Sequence, residues 1–225
     1  MKKQPKYLMY RFLRLVIRPM YMLLYKPKFV NKQVIPKTGP IIIAGNHYHA
    51  FDQFNVMLAT KRVLHYMAKK EYFDGEHSLF GNQKKPSKFG IAITRWLVRN
   101  AKMVIRTDRN ANTDDAKTAA VEVLNDGKAL GLFPEGTRNK TNELLLPFKF
   151  GAVSMAQKTE AMIIPFAITG EYKMSLFKKS NLNIRFGEPF QVQKEMKLEE
   201  ANEKLYNTII DLKKEGLEAI KNGKY

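Results

Sequence analysis

His47 and Asp52, five positions apart, stand in the stretch Gly45-Asn46-His47-Tyr48-His49-Ala50-Phe51-Asp52. A run of β-branched residues, Ile41 to Ile43, precedes it, and a helical spacing of Phe54, Met57 and Leu58 follows. The stretch therefore reads as the turn by which a buried strand delivers the chain into a helix. Such a turn can fold the carboxylate back onto one ring nitrogen of the histidine. That bond fixes the tautomer and leaves the other nitrogen free as a general base. The simpler alternative makes Asp52 an N-cap and His47 a hydrogen-bonded strand-end histidine.

Composition bounds the partners. With 225 residues, 44% of them hydrophobic, the chain is one domain, or a domain with an appendage, with enough apolar residues for a core. It has no cysteine, so disulfides and thiolate metal sites are excluded. Ten of the net eighteen positive charges fall in the first forty residues, where the first carboxylate has yet to occur; it is Asp52. Between those charges stand Tyr7 to Tyr10, Phe12, Leu13, Leu15 to Ile17 and Met20 to Tyr25. An arm this apolar does not suit nucleic acid. With Arg11, Arg14 and Arg18 at intervals of three and four, it describes a helix that lies in the headgroup layer of an anionic membrane. A membrane-crossing helix needs about 20 largely uncharged residues. The arm's longest uncharged run is Pro19 to Tyr25, so it is not expected to span. The interrupting arginines also argue against a signal peptide.

The elements that must position the dyad follow in order. Pro19 is expected to break or kink the first helix. Residues 1–38 form the basic amphipathic membrane-association segment, and 39–225 the main domain. Strands are expected at Ile41–Ala44, Val63–Met67, Met103–Arg106, Ala129–Phe133, Met162–Ile168 despite Pro165, and Leu182–Phe186 as an edge strand. Helices are expected over Lys88–Arg99, Thr113–Leu124, Phe150–Lys158 and Lys197–Lys221, and residues 74–88 read as a polar loop. Alternation of this kind gives an α/β fold with a mostly parallel sheet covered by helices on both faces. The turns after the strands' carboxyl ends then gather at one edge. They carry His47 and Asp52, then Asp108 and Arg109, then Glu135, Gly136, Thr137 and Arg138. A base dyad beside arginines and a glycine turn suits a substrate with a hydroxyl to deprotonate and an anion to hold. No serine or cysteine nucleophile motif is present, which favours direct transfer.

The ordered set NHYHAFD, VIRTDR, FPEGTR and IIPFAITG resembles the four sequence blocks of the glycerolipid acyltransferases, most closely the bacterial 1-acylglycerol-3-phosphate (lysophosphatidic acid) acyltransferases. The likeness spans roughly residues 38–175. It implies that His47 is the base and Asp52 its orienting partner. It also implies that Arg109, Glu135 and Gly136 hold the acceptor's glycerol phosphate, and that Thr137 and Arg138 complete that turn. Pro165 lies in the block the family associates with the acyl donor. The implied reaction is attack of a lysophospholipid hydroxyl on acyl-CoA or acyl carrier protein, with no metal and no cofactor, on the cytoplasmic face of the cell membrane. The chain departs from the pattern at His49, where a serine is usual, and in lacking the glycine before the second block, where Arg106 competes with Arg109. Glycerol 3-phosphate or another lysolipid remains an alternative acceptor. A metallohydrolase using His47, His49 and Asp52 would need further ligands from His65, His77 and the carboxylates, and leaves FPEGTR unexplained.

Overall fold

The computed structural model describes residues 7–74, 76, 87–100, 104–107, 114–177 and 180–224. Among these residues seven strands, β1 (Lys28–Val30), β2 (Ile41–Gly45), β3 (Leu64–Lys69), β4 (Val104–Thr107), β5 (Ala129–Leu132), β6 (Met162–Thr169) and β7 (Asn183–Phe186), form one sheet in the order β1-β7-β6-β2-β5-β3-β4. Every pairing is parallel except β6 with β7. Seven α-helices accompany them among the described residues: α1 (Leu8–Tyr25), α2 (Asp52–Ala59), α3 (Glu71–Asp74), α4 (Lys88–Asn100), α5 (Asp114–Asn125), α6 (Gly151–Thr159) and α7 (Leu198–Lys221).

Side chains alternate across a strand, so a sheet buried on both faces needs apolar residues at every position. In β2, Ile42 and Ala44 pack with α5, α6 and α7 through Ala120, Leu124, Val153, Leu205 and Ile209. Ile41 and Ile43 face the other way, toward Tyr21 and Tyr25 of α1 and Val56 and Leu58 of α2. The expected α/β architecture, with its mostly parallel sheet, is the one observed. The expected loop at 74–88 lies almost wholly outside the described residues, as do Met103 and Thr113.

Two local expectations are corrected. First, α1 runs unbroken through Pro19. Proline removes one N–H from the ladder, and here it sits on the exposed side of the helix. Second, Leu182–Phe186 is not an edge. β7 lies between β6 and the three-residue strand β1, which takes the edge. A strand as short as Lys28–Val30 carries no periodicity to read, and by this pairing residues 28–30, inside the basic arm, belong to the sheet. The strand expected over Met162–Ile168 despite Pro165 is present as β6, an inner strand, where proline usually costs a ladder bond. The β6–β7 pairing begins only at Phe166, and Pro165 contributes a carbonyl that accepts from Gly187 N–H at 2.9 Å.

Candidate active site

β6, β2 and β5 are neighbours in the sheet and parallel where they pair, so their carboxyl ends open side by side. The residue after β2 is fixed first. Asn46, buried, donates from Nδ2 to Ile168 O at 3.0 Å and accepts Ile168 N–H on Oδ1 at 2.7 Å. Its side chain thus extends the β2–β6 ladder by one step where the main chain turns away. A glycine is required just before it: a Cβ on Gly45 would stand 2.3 Å from Phe166 O.

His47 is then held at its backbone from the neighbouring turn. Its N–H donates to Glu135 Oε1 at 2.7 Å, and its carbonyl accepts Asn139 N–H at 2.6 Å. Glu135 Oε2 accepts Leu146 N–H at 2.9 Å. Both oxygens of this buried carboxylate are therefore engaged by backbone N–H groups. The implied contact of Glu135 with a phosphate is not what its geometry serves: it braces the strand exit that carries His47. Burial raises its pKa above the usual range, opposed by those two hydrogen bonds and by the charge of Lys213. Gly136 takes φ +68°, the left-handed backbone that lets the turn pass close to the Lys149 side chain.

Asp52 is the first residue of α2, and its side chain does not cap that helix. It turns back instead. Oδ2 accepts from His47 Nδ1 at 2.8 Å, Tyr48 N–H at 2.7 Å and His49 N–H at 2.8 Å, and Oδ1 accepts from Tyr172 OH at 2.6 Å. Four donors meet a fully buried carboxylate, which satisfies its charge without a cation. The His47 ring stacks on Phe133 at 4.1 Å and 18°. Since Nδ1 faces Asp52, Nε2 is the nitrogen left for a substrate; the side chain is 18% exposed.

His49 is arranged differently. Its Nδ1 accepts Phe51 N–H at 3.2 Å, which puts the ring proton on Nε2, and its ring stacks on Tyr172 at 4.0 Å. Burial lowers its pKa, opposed by the charge of Asp52, with Arg138 and His47 acting in the same direction as burial. His65, a ligand the metallohydrolase alternative would have used, has both nitrogens in contact elsewhere, with Tyr7 OH and Ala129 O. Among the described residues no group of three or more His, Asp or Glu could hold a metal.

A family model described as Acyltransferase matches residues 26–169. The chain belongs to this acyltransferase family. Among its relatives, the 1-acyl-sn-glycerol-3-phosphate acyltransferase of Bacillus subtilis is 27% identical over 185 residues, covering 80% of this chain and 82% of that protein. The enzyme of the same name from Borreliella burgdorferi is 30% identical over 134 residues, 60% of this chain and 47% of its own length. The crystal structure of the 1-acyl-sn-glycerophosphate (LPA) acyltransferase PlsC from Thermotoga maritima aligns over 94% of this chain and 79% of that one, with TM-score 0.63 and 21% identity, a likeness of fold.

For an acyltransferase, the described site brings together His47, Asp52, Glu135, Gly136, Thr137 and Arg138, the last close enough to act electrostatically on His49. Arg109 lies outside the described residues. Arg106, its rival, is exposed and paired with Asp74 at 2.9 Å. Sequence reasoning passed over Asn46, Phe133 and Tyr172. Asn46 stood in the first block, but no spacing announces a side chain that bonds a neighbouring strand. Tyr172 lies 120 residues from Asp52, beyond the reach of any local pattern.

Proposed function

We propose that this acyltransferase moves a fatty acyl group from acyl-CoA or acyl carrier protein to the free hydroxyl of lysophosphatidic acid, giving phosphatidic acid, with His47 as general base. The observation that carries the reading is the 2.8 Å bond from His47 Nδ1 to a buried Asp52, which directs Nε2 outward at the carboxyl edge of the sheet. Nε2 accepts the hydroxyl proton as the oxygen attacks the thioester carbonyl. The imidazolium then returns that proton to the departing thiolate, and Asp52 stabilises the charged ring between the two transfers. Arg138, in the Gly136 turn, supplies a cation beside backbone donors suited to the acceptor's phosphate, and the family resemblance adds Arg109 to that role. The names of the relatives favour this acceptor.

Purified protein incubated with lysophosphatidic acid, glycerol 3-phosphate and other lysophospholipids, each with acyl-CoA or acyl carrier protein, tests the assignment by mass spectrometry of the products. Phosphatidic acid as the dominant product is expected. Dominant acylation of glycerol 3-phosphate would reassign the acceptor, and hydrolysis of the thioester without transfer would overturn the reaction class.

The same proposal seats the enzyme peripherally on the cytoplasmic face of the cell membrane through the basic arm. Leu8, Phe12, Leu15, Val16, Met20 and Leu23 are exposed along one side of α1, with Leu15 at 75%, while Tyr10, Tyr21 and Tyr25 pack inward. Arg11 and Arg18 are also exposed. The exposed Leu176 and Phe177 adjoin this stripe, because Lys26 Nζ donates to Leu176 O and Ser175 N–H donates to Leu24 O. Among the described residues no helix is long and apolar enough to cross a membrane. An apolar stripe edged by cations suits an anionic surface, at about 1 kcal/mol per basic residue near it plus unscreened apolar burial. Deleting the arm would remove β1 from the sheet, so the clean test is Phe12→Glu with Leu15→Glu. This pair is expected to lower co-sedimentation with anionic vesicles at least tenfold while the fold persists. Undiminished sedimentation would place the contact elsewhere.

A further inference from the structure

The donors that satisfy Asp52 do not end at Tyr172. Asn55 Nδ2 donates to Tyr172 Oη at 2.6 Å, and Tyr21 OH donates to Asn55 Oδ1 at 3.0 Å. Tyr172 OH in turn donates to Asp52 Oδ1, and the other carboxylate oxygen holds His47 Nδ1. Tyr21, Asn55 and Asp52 are buried. The series begins on α1, crosses α2 and the segment after β6, and ends at the proposed base. All three links before Asp52 point their protons toward the carboxylate, an arrangement in which each bond polarises the next. Burial, reinforced by the charge of Asp52, raises the pKa of Tyr172, which keeps the phenol protonated as a donor. Packing follows the same path: the Tyr25 ring meets Tyr172 at 6.1 Å, and Tyr21 meets Phe51 at 6.5 Å.

We infer that Tyr172 is a positioning residue for the His47–Asp52 pair, and that Asn55 and Tyr21 tie it to α1, so that the seating of this helix sets the geometry of the dyad. The inference rests on the reading of His47 as the base. Asp52 has two oxygens and one rotatable plane. Oδ2 can face His47 and the two loop N–H groups only while Oδ1 has its own donor on the opposite side, and Tyr172 is the side chain that supplies it. Asp52 only accepts, so Tyr172 donates to it; Asn55 then presents Nδ2 to Tyr172 Oη and is left with Oδ1 to accept from Tyr21, which anchors the amide to α1.

Tyr172→Phe keeps the ring stacked on His49 and removes only the hydroxyl. It is expected to lower kcat about tenfold, the range in which supporting hydrogen bonds to a functional side chain act, with KM for both substrates unchanged and the thermal transition retained. Tyr21→Phe is expected to lower kcat in the same direction by a smaller factor, and to add nothing in the Tyr172→Phe background. Asp52→Asn with Tyr172→Phe is expected to be no slower than Asp52→Asn alone, since both changes act through one group. Wild-type kcat in Tyr172→Phe, a loss confined to KM, or losses that multiply in the double variant would overturn the positioning role while leaving the dyad intact. Full activity in Asp52→Asn would instead remove the base assignment and this inference with it.

Discussion

Replacing His47 with alanine is expected to lower kcat by about 10²–10⁴, the usual contribution of a positioned general base. The side chain is fixed in place without its own reacting nitrogen being engaged: its backbone is held by Glu135 and Asn139, and its ring rests on Phe133. Removing the imidazole leaves those backbone bonds in place, so the turn bearing Gly136, Thr137 and Arg138 keeps its shape. Acceptor affinity should therefore stay within about twofold of wild type, because the lost interaction belongs to the transition state and not to the bound ground state. His49→Ala is the matched control. Its Nδ1 is occupied by Phe51 N–H, so it cannot replace His47, and its removal should cost less than tenfold. If the two variants ranked the other way in steady-state turnover, the wrong histidine would have been assigned.

Asp52→Asn is expected to lower kcat by about 10²–10³, because an amide cannot both accept from His47 Nδ1–H and stabilise the imidazolium charge. The two isosteric groups differ in more than charge. The carboxylate accepts four hydrogen bonds, three of them on Oδ2, and an asparagine has a single acceptor oxygen. Whichever way the amide turns, it presents N–H protons to either the His47 side or the Tyr172 hydroxyl. Asp52→Ala would go further, leaving the Tyr48 and His49 N–H groups without their acceptor at about 1–3 kcal/mol each. Circular dichroism melts should therefore show Asp52→Asn close to wild type and Asp52→Ala clearly less stable. A melt for Asp52→Asn as low as that for Asp52→Ala would mean that the carboxylate serves the fold more than the chemistry.

The central strands were legible because they carry continuous apolar runs. Ile41–Ile43, Ala129–Gly131 and Ile163–Ile168 are buried on both faces, and no other element accommodates such runs so simply. The His47–Asp52 pair was legible because a strand-to-helix turn of five residues closes locally. What escaped was non-local or too short. β1 owes its existence to a free side of β7 and not to its own three residues. Glu135 looked like a ligand-binding residue because it sits beside glycine and arginine at a strand end. Only the sheet order, which places β5 next to β2, shows its carboxylate reaching the His47 amide. Tyr172 reaches Asp52 from just beyond β6, and Asn55 holds Tyr172 from one helical turn after Asp52, positions that no single periodicity links to a base.

The most direct test of His47 as the acid–base group is a single-turnover experiment. Wild-type and His47→Ala enzyme, each saturated with acyl donor and phosphorylated acceptor, are mixed rapidly and quenched, and product is counted alongside released thiol. The expected result is a chemical step slowed at least about 100-fold in the variant, with calorimetric affinities for both substrates preserved, and product and thiol appearing together in both enzymes. Product formation at the wild-type rate in His47→Ala, or thiol released in a burst ahead of product with an acylated protein detected by mass, would contradict direct base-assisted transfer at this site.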